Sequence, residues 1–276
     1  MEPIRRRLTA SAKDWGISPR VASGIFWAPL FAAAALVLAR LDKRVYRFFL
    51  GEDGVVEWAQ VACFVIAGVF AIGITVLRHR AGQKLQAGIY AIVAITALVA
   101  AGEEIGWGQR ILGLETPEEW SRINHQHELT LHNVGDVLDV LNPFMMAIGL
   151  IGVLACIFGP RLRLDRYWDR AGHLFVPPFF LASSFLVLFL YKFIRLTIVT
   201  KSGFTVTKYG ELAELCLAFA LTAFVWLNYR RLTVEARSSR GIRDSGPVPV
   251  REIAPFGPEA GPDPDGIVHG SEMTPR

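Results

Sequence analysis

The stretch that decides the fold is "LQAGIYAIVAITALVAAGEEIGWGQR", Leu85 to Arg110. From Leu85 to Ala101 it carries no charge. Then come two adjacent glutamates, Glu103 and Glu104, and at once a Gly-Trp-Gly-Gln-Arg string. A helix needs about 20 mostly apolar residues to cross the hydrocarbon core of a bilayer, and this run nearly supplies them. Carboxylates at the edge of such a segment are costly to place and are functional candidates by default. What Glu103 and Glu104 do is the question the sequence poses.

Working outward, the same apolar texture recurs. The chain has 276 residues, 52% of them hydrophobic and 20% charged, with mean hydropathy +0.36. A soluble domain of this length builds one core, not several long apolar blocks separated by clustered charge. Six blocks qualify as spans: about Ala22–Ala39, Val55–Leu77, Leu85–Ala101, Pro143–Phe158, Leu174–Tyr191 and Glu211–Tyr229. The expected fold is therefore all-α, a polytopic bundle of about six transmembrane helices within residues 22–231. Pro177-Pro178 should kink or start the fifth helix, and Asn142-Pro143 should break the chain before the fourth span. The first apolar run ends at Arg40 without a small-residue cleavage pattern, so it reads as an uncleaved span.

Charge sets the expected orientation. If the basic segment 1–21 is cytoplasmic, seventeen Lys and Arg fall on that side against ten on the other. That bias places both termini in the cytoplasm, in a plasma (inner) membrane. The net charge of +4 is small; no basic stripe interleaved with aromatics appears, and nucleic acid is not an expected partner. The lipid bilayer is. Residues 232–276 are rich in Pro, Gly and charge and read as a disordered cytoplasmic tail. Cys63, Cys156 and Cys216 all lie in apolar blocks and read as packing residues. Oligomeric state is not legible.

The loop 102–142 is the most informative segment. "TPEEW" reads as a helix start, with Thr116 as N-cap, Pro117 in the first turn and Glu119 closing a capping box. A second short amphipathic helix presents Val134, Val137, Leu138 and Leu141 on one face. Such helices lie on a membrane surface or cap a bundle. Between them stand His125, His127 and His132, with Gln126, Glu128 and Asn133 as neighbours. Neighbouring carboxylates on a helix point about 100° apart, so one of Glu103 and Glu104 should face a pocket while the other does not. Arg110 lies two turns after Glu103 and could pair with it.

Two readings stand for each group. Glu103 and Glu104 are either an interfacial pair neutralised by Arg110, or a general base or metal ligand. The histidines bond loop backbone, or His125, His127 and His132 join Glu104 around a divalent metal such as zinc, although no zinc spacing is matched. His132 and Asn133 rank as catalytic candidates with Glu103, Glu104 and Arg110. Trp107 with its flanking glycines is a belt residue or a stacking wall. Gln109, Gln126 and Glu128 complete the substrate-binding candidates in the loop. Lys192 and Arg195 anchor the fifth helix at the interface or hold an anionic headgroup. Lys208, Glu211 and Glu214 stand at the same end of the sixth span, where Glu211 and Glu214 join the binding set.

The string "GEEIGWGQRILGLETPEEWSRINHQHELTLHN" resembles a signature of uncharacterised bacterial multi-span membrane proteins. It is also similar, less closely, to the intramembrane CAAX-type glutamate proteases, which carry E-E-x-x-x-R. Here Gly108 stands where that arginine would be, and Arg110 comes two residues later. The likeness to ceramidase-type hydrolases is generic, since the six apolar blocks hold no histidine. The first resemblance names no activity. The Glu/His/Arg cluster itself points to a membrane-embedded hydrolase or transferase acting on a lipid-linked substrate at the extracytoplasmic side, where this orientation places the loop 102–142. The alternative is a transporter or a partner-binding membrane protein, whose polar groups would sit near mid-membrane.

Overall fold

The computed structural model describes residues 2–51, 53–124, 129–131, 134–162, 172–199 and 203–244, without the side chains of 110, 204 and 238–244. Among the described residues ten α-helices run in order: α1 (Glu2–Asp14), α2 (Pro19–Ala39), α3 (Lys43–Leu50), α4 (Val55–Arg80), α5 (Lys84–Glu104), α6 (Gln109–Leu112), α7 (Glu118–Ile123), α8 (Gly135–Phe158), α9 (Ala182–Thr197) and α10 (Phe204–Asp244). Among the described residues there is no strand, only an isolated bridge between Asn124 and Val134. Six helical segments are long and apolar enough to cross a membrane. The protein is an all-α integral membrane bundle.

The helices start where the chain offers caps. Ser18 Oγ accepts the Val21 N–H at 3.3 Å, and Pro19 opens α2 with the φ a helix needs. Asp42 Oδ1 accepts from Arg44 N at 2.8 Å and from Val45 N at 3.4 Å, which fixes the start of α3. That helix buries Tyr46 and Leu50, one turn apart, and leaves Lys43, Arg44, Phe48 and Phe49 exposed. It is a surface helix with an apolar rim, as is the basic α1, which buries Leu8 and Ala12.

Lipid tails are as apolar as leucine, so helix pairing in a bilayer rests on close packing. α4 lies along α5 through buried Ala67, Ala71, Ala94, Ala97 and Ala101. α8 lies along α9 through Gly149, where a Cβ would stand 2.8 Å from the backbone N of Phe189. α10 is the central helix: it supplies Leu212, Ala213, Cys216, Ala218, Ala220, Val225 and Leu227 to four apolar clusters that between them reach every other span.

Several expectations change. The short helix over Val134–Leu141 and the fourth span are one helix, α8, with Pro143 inside it. A proline in a membrane bundle removes one hydrogen bond without ending the helix, because neighbouring groups take up the freed carbonyl. The helix over "TPEEW" exists, but Pro117 occupies its cap position with no side-chain bond, and Thr116 turns away to meet Gln109. The third span continues through Glu104, so both glutamates are helical, as their reading as helix neighbours supposed, and the loop begins after them and not at Gly102. Pro177-Pro178 precede a single 3-10 turn at Phe179–Leu181 before α9 begins. The helix of the last span runs on to Asp244, past Leu232; residues 245–276 lie outside the described residues.

Candidate functional site

The two glutamates part at the end of α5. Glu103 turns toward the loop. Its Oε1 accepts from Trp107 Nε1 at 2.6 Å and its Oε2 from the Leu131 N–H at 2.7 Å. The Gly-Trp-Gly string makes this possible. Gly106, Trp107 and Gly108 all take left-handed backbone, φ 56°, 53° and 80°. For Trp107 that conformation is strained. It lays the indole over Gly102, where a Cβ would come within 2.9 Å of the ring.

Gln109 closes the next circuit. Its amide donates to Leu114 O at 3.1 Å and to the Thr116 hydroxyl, and its Oε1 accepts from Leu129 N at 2.7 Å. Asn124, buried, donates to Thr130 O at 2.6 Å and to Thr130 Oγ1 at 3.1 Å. Glu103, Trp107, Gln109, Thr116 and Asn124 thus tie the described residues 105–124, 129–131 and 134 into a cap. Five residues of the quoted string have a structural task.

Glu104 turns toward the bundle. It lines a crevice with Asp53, Glu57, Trp58 and Val61 of the α4 start and with Ile105 and Ile111, a void of about 10 Å³. That is room for a single water at most. Glu57, Glu211, Glu214 and Lys208 are its electrostatic neighbours.

Behind this crevice a polar girdle joins four helices. Lys192 on α9 is 4% exposed. Its ammonium donates to Glu214 Oε1 on α10 and to Asn142 Oδ1 on α8, each at 2.8 Å. Lys208 stands 3.6 Å from Glu211 on α10. Gln60 on α4 is fully buried and donates to Glu211 O at 3.0 Å and Glu211 Oε2 at 3.2 Å. Its Oε1 has no hydrogen-bond partner among the described residues. The girdle carries acids, bases and donors, and the crevice in front of it is narrow.

The candidates therefore separate. Glu104, Glu211, Glu214 and Lys192 come together at one end of the bundle, while Glu103, Trp107 and Gln109 belong to the cap. Arg195, also at that end, donates to Val199 O at 3.0 Å and lines a separate lateral groove. His125, Gln126, His127, Glu128, His132 and Asn133 lie outside the described residues, as does the side chain of Arg110. Among the described residues no group of three His, Cys, Asp or Glu is arranged to hold a metal. Two members of the girdle, Gln60 and Asn142, and Glu57 of the crevice were not among the site residues read from sequence. The signal was there, since a polar side chain within an apolar helix must find a partner in the bundle.

No protein family, no curated protein and no solved structure matches this chain.

Proposed function

We propose that this integral membrane protein is a hydrolase or transferase acting on a lipid-linked substrate, with Glu104 as its acid–base group. The observation that supports this is the divergence of the glutamate pair. Glu103 is engaged in the cap, whereas Glu104 faces the charged groups of α10 beneath it, Lys208, Glu211 and Glu214. In this scheme the Glu104 carboxylate takes a proton from water or from an acceptor hydroxyl. The oxygen so activated attacks the ester or phosphoester centre, and the proton passes to the leaving oxygen. Arg110 sets the charge of the site. In a metal-assisted form, His132 with His125 or His127 and Glu104 would hold a divalent ion such as zinc, which would supply a polarised water.

A second reading, the proton- or cation-binding site of a transporter, is favoured by Gln60. Its bare Oε1 inside the girdle accepts a donor that the resting helices do not provide. One experiment addresses both. Purified protein in nanodiscs is incubated with a bacterial lipid extract and products are followed by mass spectrometry, wild type beside Glu104→Gln, with elemental analysis of both. Turnover in the wild type that falls at least about a hundredfold in Glu104→Gln, the usual weight of a positioned acid–base group, is expected. Turnover that survives the substitution removes Glu104 from the chemistry. A folded wild type that converts no lipid leaves the transporter reading in its place.

A further inference from the structure

A lateral groove of about 460 Å³ opens between α2, α9 and the start of α10. Its walls are apolar: Leu30 and Leu36 on one side, Val187, Leu190 and Ile194 on the other. At one end stand two cations, Arg40 at the end of α2 and Arg195 near the end of α9. Neither pairs with a carboxylate among the described residues. Arg195 gives one N–H to Val199 O, and Arg40 is exposed.

Three tyrosines frame that end, and their hydroxyls are engaged. Tyr46 donates to Thr205 O at 2.6 Å, Tyr191 to Val206 O at 2.9 Å and Tyr209 to Ala33 O at 2.8 Å. They tie α3, α9 and α10 to their neighbours and hold the groove open. The groove's uncommitted donors are therefore the guanidiniums. From Leu30 to Arg40 is ten residues of helix, about 15 Å at 1.5 Å per residue. That is about half the 30 Å hydrocarbon core, the depth of one leaflet.

We propose that this groove holds one anionic phospholipid, its phosphate on Arg40 and Arg195 and one acyl chain along the apolar walls. The charge, the length and the lateral opening fit that occupant together. A neutral diacylglycerol would leave both guanidiniums unmet, and a free phosphate would leave the apolar walls bare. Tyr191 also joins the groove to the girdle. Its ring lies 5.8 Å from Lys192 Nζ, and a Cβ on Gly210 would meet its hydroxyl at 2.8 Å. The lipid would thus be seated beside the Glu104 end. As a substrate seat it rests on the function proposed above, whereas its binding does not.

The test is native mass spectrometry of delipidated, detergent-purified protein with dioleoylphosphatidylglycerol, dioleoylphosphatidylcholine or dioleoylglycerol. One tightly retained phosphatidylglycerol is expected, favoured over the other two by about thirtyfold, the weight of two cations at a membrane surface. Arg40→Gln with Arg195→Gln should abolish that preference, and Arg40→Lys with Arg195→Lys should keep it. Glu104→Gln should retain the lipid as the wild type does, so an inactive site and an empty groove are told apart. Equal retention of all three lipids by the wild type, or an undiminished preference in the double Gln variant, would overturn the proposal. So would displacement of the lipid by millimolar inorganic phosphate, which would make this a simple anion site.

Discussion

The two ends of the bundle handle their polar groups in opposite ways. At the Glu104 end, lysines and glutamates pair across α8, α9 and α10, with Gln60 reaching in from α4. At the other end the fully buried links among the described residues are neutral, and a guanidinium contact there, in which Arg78 Nε donates to Gln86 Oε1 at 2.6 Å, is only part-buried. Tyr90 donates to Leu174 O at 2.8 Å, and Asn228 donates to Tyr90 Oη at 3.2 Å. Neutral bonds are enough to tie helices together. Charges at membrane depth cost several kcal/mol of desolvation each, and apolar residues of the same size would tie the helices as well or better. The charged end is therefore the one whose composition stability alone does not explain.

The comparison breaks most sharply at Lys192. Lys192→Met leaves the Glu214 carboxylate and the Asn142 oxygen without their donor in a water-poor site. A loss of about 3–5 kcal/mol is expected, as for other broken buried pairs. It is checked by chemical or thermal unfolding in detergent. Adding Glu214→Leu removes the orphaned charge, and most of the loss should return. If the double variant is as unstable as the single one, the pair has no special cost, and the contrast between the ends dissolves.

At the neutral end, Tyr90→Phe deletes one hydroxyl and leaves Leu174 O and the Asn228 amide unmet. The cost expected is about 1–3 kcal/mol, that of unsatisfied buried polar groups, and no second substitution with opposite charge will rescue it. The same unfolding assay measures it. A cost as large as that of Lys192→Met would mean that burial, not charge, sets the scale at both ends.

How much of this was legible in sequence depends on the range of the interaction. The six spans follow from runs of apolar residues, a local property, and they stand. The divergence of Glu103 and Glu104 follows from helix geometry at adjacent positions, but which one turns inward does not. The partner of Lys192 lies 22 residues away on α10, and its second partner, Asn142, 50 residues away on α8. No periodicity announces such a meeting. Asn142 was read as half of a helix-breaking Asn-Pro pair, because the rule for proline comes from helices with water to spare for the broken bond. Inside a bundle the helix runs through, and Asn142 becomes a half-buried acceptor for Lys192. α1 and α3 were hidden for a different reason: they are short, charged surface helices whose stability comes from the face they lay on the bundle.

The smallest effect should come from the cap, and it refines the contrast. Trp107 is half-exposed, so in Trp107→Phe water can replace the lost indole bond to Glu103. Leu131 N still holds the other carboxylate oxygen. Global stability should fall by less than about 1 kcal/mol. The cap, however, has few buried apolar contacts and hangs on a handful of polar bonds, the pattern of a unit that opens on its own. Amide exchange at Leu129 and Leu131 should therefore quicken by severalfold while exchange within α4 and α10 is unchanged. Trp107→Gly separates the two contributions of this residue. Glycine accepts the left-handed backbone without strain, yet it removes the ring from Gly102 and the donor from Glu103. If Trp107→Gly leaves the cap as protected as wild type, relief of strain outweighs both lost contacts. If it opens the cap further than Trp107→Phe, the strain at Trp107 is the cost of laying its ring on α5, and the cap is anchored there.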